Sequence, residues 1–469
     1  MRKTSFFSFV FLLIVVTLYA VMPSGCANII PPSGGPRDST APHLVSASPK
    51  DSTLNFKSNR ITFTFDEFID DPQDLQNNLL FTPTFEVNPE IAVRAKTMTL
   101  TFRDSLTPNT TYIFNFGNAI RDVNESNVLR NFVYTFSTGP VLDSLTLEGK
   151  VTLAENGKTD STLIVMLHSN LADSAVQTQR PVYITRVNPD GSFRFQNLPK
   201  DTFAIYALGD ALMTMRRYQD TSKLFAFAAQ PVISGITKDI TLYAYSTRQA
   251  PRNVTNIPVR GVINTGDKRL RLTTTPSTGN LDLQNDFVVN FQSPLRLFDS
   301  TLVSLTKDTT FAPATYTVIL DSSRTSLRFR SQWQQGATYN LILNKEFADD
   351  SSGRKLFKTD TLNFAVKKLS DYGKLNIRIR NLAGARNPVL LFLQNEQVVF
   401  SAPVKSGTFT SPLFNPGDYD LRILYDTNNN GKWDPGKFFG EKRQPELVQP
   451  ITRKITVKPA WENEFDVSL

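Results

Sequence analysis

Polar and apolar residues alternate one for one along much of this chain. The runs Ile61–Phe65 (ITFTF), Thr97–Phe102 (TMTLTF), Tyr112–Phe116 (YIFNF), Ser192–Gln196 (SFRFQ), Thr325–Ser331 (TSLRFRS) and Lys374–Arg380 (KLNIRIR) all repeat with a period of two. Successive side chains of an extended strand point to opposite faces, so each run buries one face of a sheet and wets the other. A helix cannot collect such a pattern on one side. Turn chemistry punctuates the runs at Asn188–Gly191 (NPDG), Asn415–Asp418 (NPGD), Thr107–Thr110 (TPNT) and Ser351–Arg354 (SSGR). Only short stretches such as Asp70–Asn78 look helical. Many short strands separated by turns predict antiparallel β-sandwiches.

The pattern occurs twice at long range. Lys96–Asp122 aligns without a gap on Ser323–Asp349, placing Leu100 on Leu327, Phe102 on Phe329, Tyr112 on Tyr339 and Asp122 on Asp349. Gly191–Asp210 aligns in the same way on Gly407–Asp426, placing Phe193 on Phe409, Phe203 on Tyr419 and Asp210 on Asp426. The order along the chain is therefore A, B, A′, B′. The length of 469 residues suits three or four domains, and 40% hydrophobic content with 35 Phe supplies their cores.

The N-terminus is an address, not a fold. Arg2 and Lys3 precede the apolar run Phe6–Met22, followed by Pro23, Ser24, Gly25 and Cys26. That order is a secretory signal peptide, with the run slightly short of the roughly 20 residues a membrane span needs. The residues before Cys26 resemble a bacterial lipobox of the relaxed kind found in Bacteroidota, with Pro23 where the common pattern has Leu. The resemblance implies cleavage after residue 25, diacylation of Cys26 and attachment to a membrane by that lipid. No Asp follows the cysteine, and no acidic run like a surface-export signal is present. An outer-membrane anchor facing the periplasm is therefore favoured over the cell surface. Cys26 is the single cysteine, so no intramolecular disulfide forms.

The A units resemble bacterial Ig-like domains first recognised in S-layer proteins. The matching residues are Pro42–Pro49 (PHLVSASP), Ile61–Asp70, the strand that opens at Thr111-Tyr112, and Tyr134–Gly139 (YTFSTG). The B units resemble prealbumin-like sandwiches found beside carboxypeptidases, on Leu147-x-Gly149-x-Val151 and Gly191–Asp210. The whole is similar to Bacteroidota lipoproteins that alternate such modules. The division it implies is a signal peptide at 1–25, a Pro/Gly-rich tether at 26–42, and an Ig-like module at 43–139. A prealbumin-like module follows at 140–248, a degenerate second Ig-like module at 249–368, and a second prealbumin-like module at 369–469.

Asp426–Asp434 (DTNNNGKWD) is the most site-like segment. Asp426, Asn428, Asn430 and Asp434 stand at positions where oxygen ligands of a tight loop converge on calcium, with Gly431 at the sharp turn. Lys437 occupies the place of the distal acid, for which Glu441 could substitute. The opposing reading is an Asn/Gly-rich turn packed beneath Trp433. Asp-Ser pairs recur at Ser39, Ser52, Ser105, Ser144, Ser161, Ser174 and Ser300 and resemble the O-glycosylation sequon of exported Bacteroidota proteins; Asp-Ser is also good turn chemistry.

Catalysis finds little material. His43 and His168 are the two histidines, each expected at a surface or strand edge, and no nucleophile elbow, phosphate loop or zinc motif occurs. The acidic group Asp66-Glu67 and Asp70-Asp71 reads as a turn of the Ig-like module. The net charge of +8 is dispersed, unlike a nucleic-acid footprint. The chain is therefore expected to be a non-enzymatic scaffold of the cell envelope, working on protein partners. The alternatives are a surface glycan-binding or adhesion protein, with Trp333, Trp433 and Trp461 as stacking candidates, and an accessory subunit of an envelope enzyme or transport complex.

Overall fold

The computed structural model describes residues 10–14, 37–70, 79–210, 217–219, 223–247, 269–277, 279–382 and 387–469. Cys26 and Asp71 lie outside them. The protein is all-β, as its alternation requires. The chain divides into two compact units. One holds most of A, and the other holds residues 80–86, 107–113 and everything from Phe136 onward.

In the first unit Leu44–Ser48, Arg60–Phe65, Thr97–Thr101 and Glu90–Arg94 form an antiparallel sheet in that order. Ile61, Phe63 and Phe65 are buried while Thr62 and Thr64 are half-exposed, so the period of two is the burial pattern. Phe63 meets Phe116, Phe132 and Tyr134 edge-on, with ring centroids 5.7, 5.6 and 5.0 Å away. Edge-to-face contacts of this kind are each worth about 0.5–1.5 kcal/mol beyond the area buried.

B and B′ share one topology. In B, Leu145–Leu153 lies between Ser192–Leu198 and Ile240–Ala244; in B′, Gly373–Arg380 lies between Thr408–Phe414 and Glu462–Ser468. The opposing sheet of B runs Tyr183–Arg186, Leu163–His168, Thr202–Gly209, Phe225–Phe227. That of B′ runs Gln397–Pro403, Pro388–Gln394, Gly417–Tyr425, Leu447–Val457. The registers agree as well: Leu163 faces Gly209 as Pro388 faces Tyr425, one residue before the matched Asp210 and Asp426. His168 of B thus corresponds to Leu393 of B′.

The expectation of antiparallel pairing needs one amendment. In each B unit the first and last strands pair in parallel, Gly149 with Ile240 and Leu375 with Asn463. Alternation records which face is buried and carries no strand direction. A′ is a sandwich of Leu272–Thr275, Phe287–Phe291, Ser326–Arg330 and Thr317–Leu320 against a second sheet of five strands. Its core is built on Phe287, Phe329, Leu341 and Phe364.

The central strand of B, Leu163–His168, is buried on both faces. Leu163, Val165 and Leu167 enter the sandwich core, while Ile164 and Met166 turn outward into a second cluster. That cluster is closed from two directions. Leu80 of A joins it, and Phe438 of B′ packs on Tyr206, Phe225 and Phe227 at centroid distances of 5.5, 5.2 and 5.0 Å. B and B′ are therefore docked face to edge although A′ separates them in sequence.

Candidate functional site

The docking contact and the Asp426 loop are one structure. The strand Gly417–Tyr425 ends at Asp426, which is buried. Its carboxylate accepts the backbone N–H of Asn430 at 3.2 Å and of Gly431 at 2.6 Å, folding the loop back on itself. Gly431 has φ +74°, in the left-handed region where glycine is unstrained. The amide groups of Asn428 and Asn430 both donate to Asp434 Oδ2, at 2.6 and 2.7 Å. The loop is then fixed from the far side by Glu446, also buried. Glu446 Oε1 accepts Thr427 N–H and Thr427 Oγ1, both at 2.7 Å, and Oε2 accepts Asp434 N–H at 3.0 Å. Trp433 Nε1 donates to the Glu446 carbonyl at 2.7 Å.

Glu446 is the acid that sequence reading missed. Glu441, the candidate for that place, is exposed at the tip of the hairpin that follows. Lys437 and Arg443 close this hairpin with two backbone hydrogen bonds of 2.8 Å. The hairpin carries Phe438 onto B and lays Phe439 over Tyr218 at 5.9 Å. Around it Gln444 Nε2 donates to the Phe227 carbonyl at 3.0 Å, Lys442 pairs with Asp173 at 2.5 Å, and Val448 N–H donates to the Ala154 carbonyl at 2.8 Å. Gly436 lies so close to Tyr245 that a Cβ there would sit 2.5 Å from the ring. Asp426 and Glu446 thus orient the loop, and the loop aims two phenylalanines.

Among the described residues no group of three His, Cys, Asp or Glu is placed to hold a metal ion. Asp210, the counterpart of Asp426 in B, is buried, and Leu212 and Thr214, which stand in B where Asn428 and Asn430 stand in B′, lie outside the described residues.

The remaining candidates fall in separate places. All seven serines of the Asp-Ser pairs are exposed. At three of them the aspartate turns back to the residue after the serine. Asp38 accepts Thr40 N–H at 2.9 Å, Asp160 accepts Thr162 N–H at 2.8 Å, and Asp299 accepts Thr301 N–H at 2.9 Å. The threonine hydroxyl bond to Asp38 holds that carboxyl below its usual range, and the same bond lowers Asp299.

His43 is exposed, its backbone N–H held by Asp66 at 2.6 Å. His168 corrects the surface or edge expectation. It is 2% exposed, on a strand flanked on both sides, with the Tyr206 ring 5.6 Å away edge-on. Burial pushes it down to about 4, so it is neutral at ordinary pH. In the acidic group, burial and then the charges of Asp38, Asp66, Asp122 and Glu125 raise Glu67. Asp122 spends its oxygens on the N–H groups of Glu125, Ser126 and Asn127, at 2.7, 2.9 and 3.0 Å. That is turn construction. Trp333 packs on Tyr339 and Phe364, Trp433 packs in the docking cluster, and Trp461 is 63% exposed.

A family model described as a bacterial Ig-like domain matches residues 38–138. No curated protein matches the chain. Among solved structures, the chain is similar to the N-terminal part of the bacterial S-layer protein SbsC at 12% identity, with 45% of each chain covered and a TM-score of 0.17. The chain therefore spans less than half of that fragment. It is also similar to the Bacillus anthracis TIE protein at 9% identity, covering 93% of this chain and 75% of that one at a TM-score of 0.18. The major pilin subunit BcpA of Bacillus cereus matches at 8% identity, 70% and 99% coverage and a TM-score of 0.16.

Proposed function

We propose that this chain is a non-catalytic scaffold of the cell envelope, tethered to a membrane by lipid on Cys26 and acting on protein partners. The observation that carries the reading is the docking of B′ on B. Buried carboxylates are consumed in shaping a loop, and that loop's product is an aromatic contact between modules. Such a device fixes the geometry of a platform; it does not turn over a substrate. The bacterial Ig-like match to residues 38–138 is compatible with this reading at the level of architecture, since a fold by itself carries no function. The test is in-cell cross-linking followed by identification of what is captured. A scaffold yields a reproducible set of envelope proteins, whereas exclusive recovery on glycan arrays would replace this reading with the adhesion one. Glycan capture keeps a single supporting observation, the exposed ring of Trp461 with Lys458 Nζ 5.0 Å above it.

Calcium belongs to the proposal as a stabiliser of the loop. The oxygens that would hold it are those of Asp426, Asn428, Asn430, Asp434 and Glu446, and the ion would replace the two amide bonds to Asp434. A melting temperature that rises with calcium in the parent chain, but not in Asp434→Ala, supports the site. An unchanged temperature leaves the loop a structural turn. The exposed serines of the Asp-Ser pairs are proposed glycan attachment points, to be checked by intact-mass measurement of the chain from its native host.

A further inference from the structure

B′ reaches B past the module that separates them in sequence, and it does so at two places. One is the Phe438-Phe439 hairpin on Tyr206, Tyr218 and Phe225. The other is the turn that follows the first strand of B. There Val448 N–H donates to the Ala154 carbonyl at 2.8 Å, and Lys158 Nζ donates to Glu396 Oε1 at 2.9 Å. A Cβ on Gly157 would lie 2.7 Å from Pro450 Cδ. Two separate contacts hold B′ against rotation as well as sliding. Among the described residues no sheet joins strands of B and B′, so the modules can part without breaking a sandwich.

The chain leaves B at this same contact. Its last strand, Ile240–Ala244, is followed by Tyr245, whose ring lies against Gly436 of B′. Residues 248–268 and A′ then intervene before the chain enters B′ at the strand Gly373–Arg380. A′ rests on B′: Leu283 N–H donates to Tyr372 Oη at 2.7 Å, and Asn415 Nδ2 donates to Asp282 Oδ2 at 2.9 Å. A′ is therefore carried in a loop of chain closed at its neck, and the neck is the contact of B′ on B.

Tension between the two ends of the chain enters B from A and enters B′ through its last strand, Glu462–Ser468. Two routes join these points. One crosses the neck directly, through packed rings and turn hydrogen bonds. The other runs round through residues 248–268 and A′, and that stretch becomes taut only when drawn out to roughly 75 Å. While the neck holds, the short stiff route bears the load.

We propose that the contact of B′ on B is a clasp, which carries tension along the chain and keeps A′ out of the load until it opens. Its use in the envelope rests on the tethered-scaffold reading, whereas the clasp itself rests on the docking alone.

The test is to pull the full chain between handles at its two ends in optical tweezers. The expected first event is short, a gain of roughly 100 Å or less, the reach of the 248–268 stretch plus one folded module. It closes again on relaxation, and the unfolding of A′, a gain of roughly 300 Å, comes only after it. Phe438→Ala is expected to lose the short event and keep the later ones. Leu341→Val, which loosens the core of A′, is expected to lower the force of a later event and leave the first unchanged. A first event of the A′ size in the parent chain overturns the clasp. So does a short event that survives in Phe438→Ala, or a first event whose force falls in Leu341→Val, because A′ would then be under load while docked. The trace needs no lipid on Cys26, so a failed clasp and a failed anchor are told apart.

Discussion

At the residue scale, the informative groups are buried polar ones. His168 is held at about 4 against 6.5 in an unfolded chain. Because the folded value is the lower, its contribution is complete above pH 6.5 and is lost as pH falls toward 4. The difference amounts to about 3 kcal/mol. His168→Leu installs the residue that B′ carries at the same register, Leu393. Denaturant unfolding of the variant is expected to lose less stability than the parent between those pH values; equal losses would mean that His168 is not the group responsible. Asp426→Ala strands the N–H of Gly431 and leaves that of Asn430 to Asn428 Oδ1 alone, and it is expected to cost about 2 kcal/mol in the same assay. Asp426 was legible in the sequence because its ligand-like spacing is local. Glu446 was not, since it reaches Thr427 of the loop from 19 positions away, on the strand's return, and a local pattern cannot report that.

At the element scale, alternation read out the strands and their buried faces, and it failed where a face is covered from outside. Leu163–Leu167 and Phe203–Leu208 are unbroken apolar runs, the local signs that B is buried on both sides. What covers it could not be read, because the Phe438-Phe439 hairpin looks like any turn-rich loop until folded. Phe438→Ala is expected to cost about 3 kcal/mol, in the range for emptying a buried phenylalanine site. Amide hydrogen exchange is expected to quicken in Leu163–His168 and Phe225–Phe227, while Leu272–Thr275 of A′ stays unchanged. Gly436→Ala is expected to give the same exchange pattern by forcing Tyr245 aside. Unchanged exchange in either variant would deny the hairpin its role in docking.

For the whole molecule, the repeat order A, B, A′, B′ was visible because matched strands keep matched spacing. The association of B with B′ was not, because docking between non-neighbouring modules leaves no period in the sequence. A platform assembled in this way serves a scaffold only if it is held in place, so the anchor is the point at which the function is most directly exposed to test. The measurement is membrane fractionation of cells making the parent chain or Cys26→Ser. The parent is expected in the membrane fraction and the variant in the soluble envelope fraction with its melting temperature unchanged. A variant that stays in the membrane, or a parent that is soluble, would contradict the tethered scaffold.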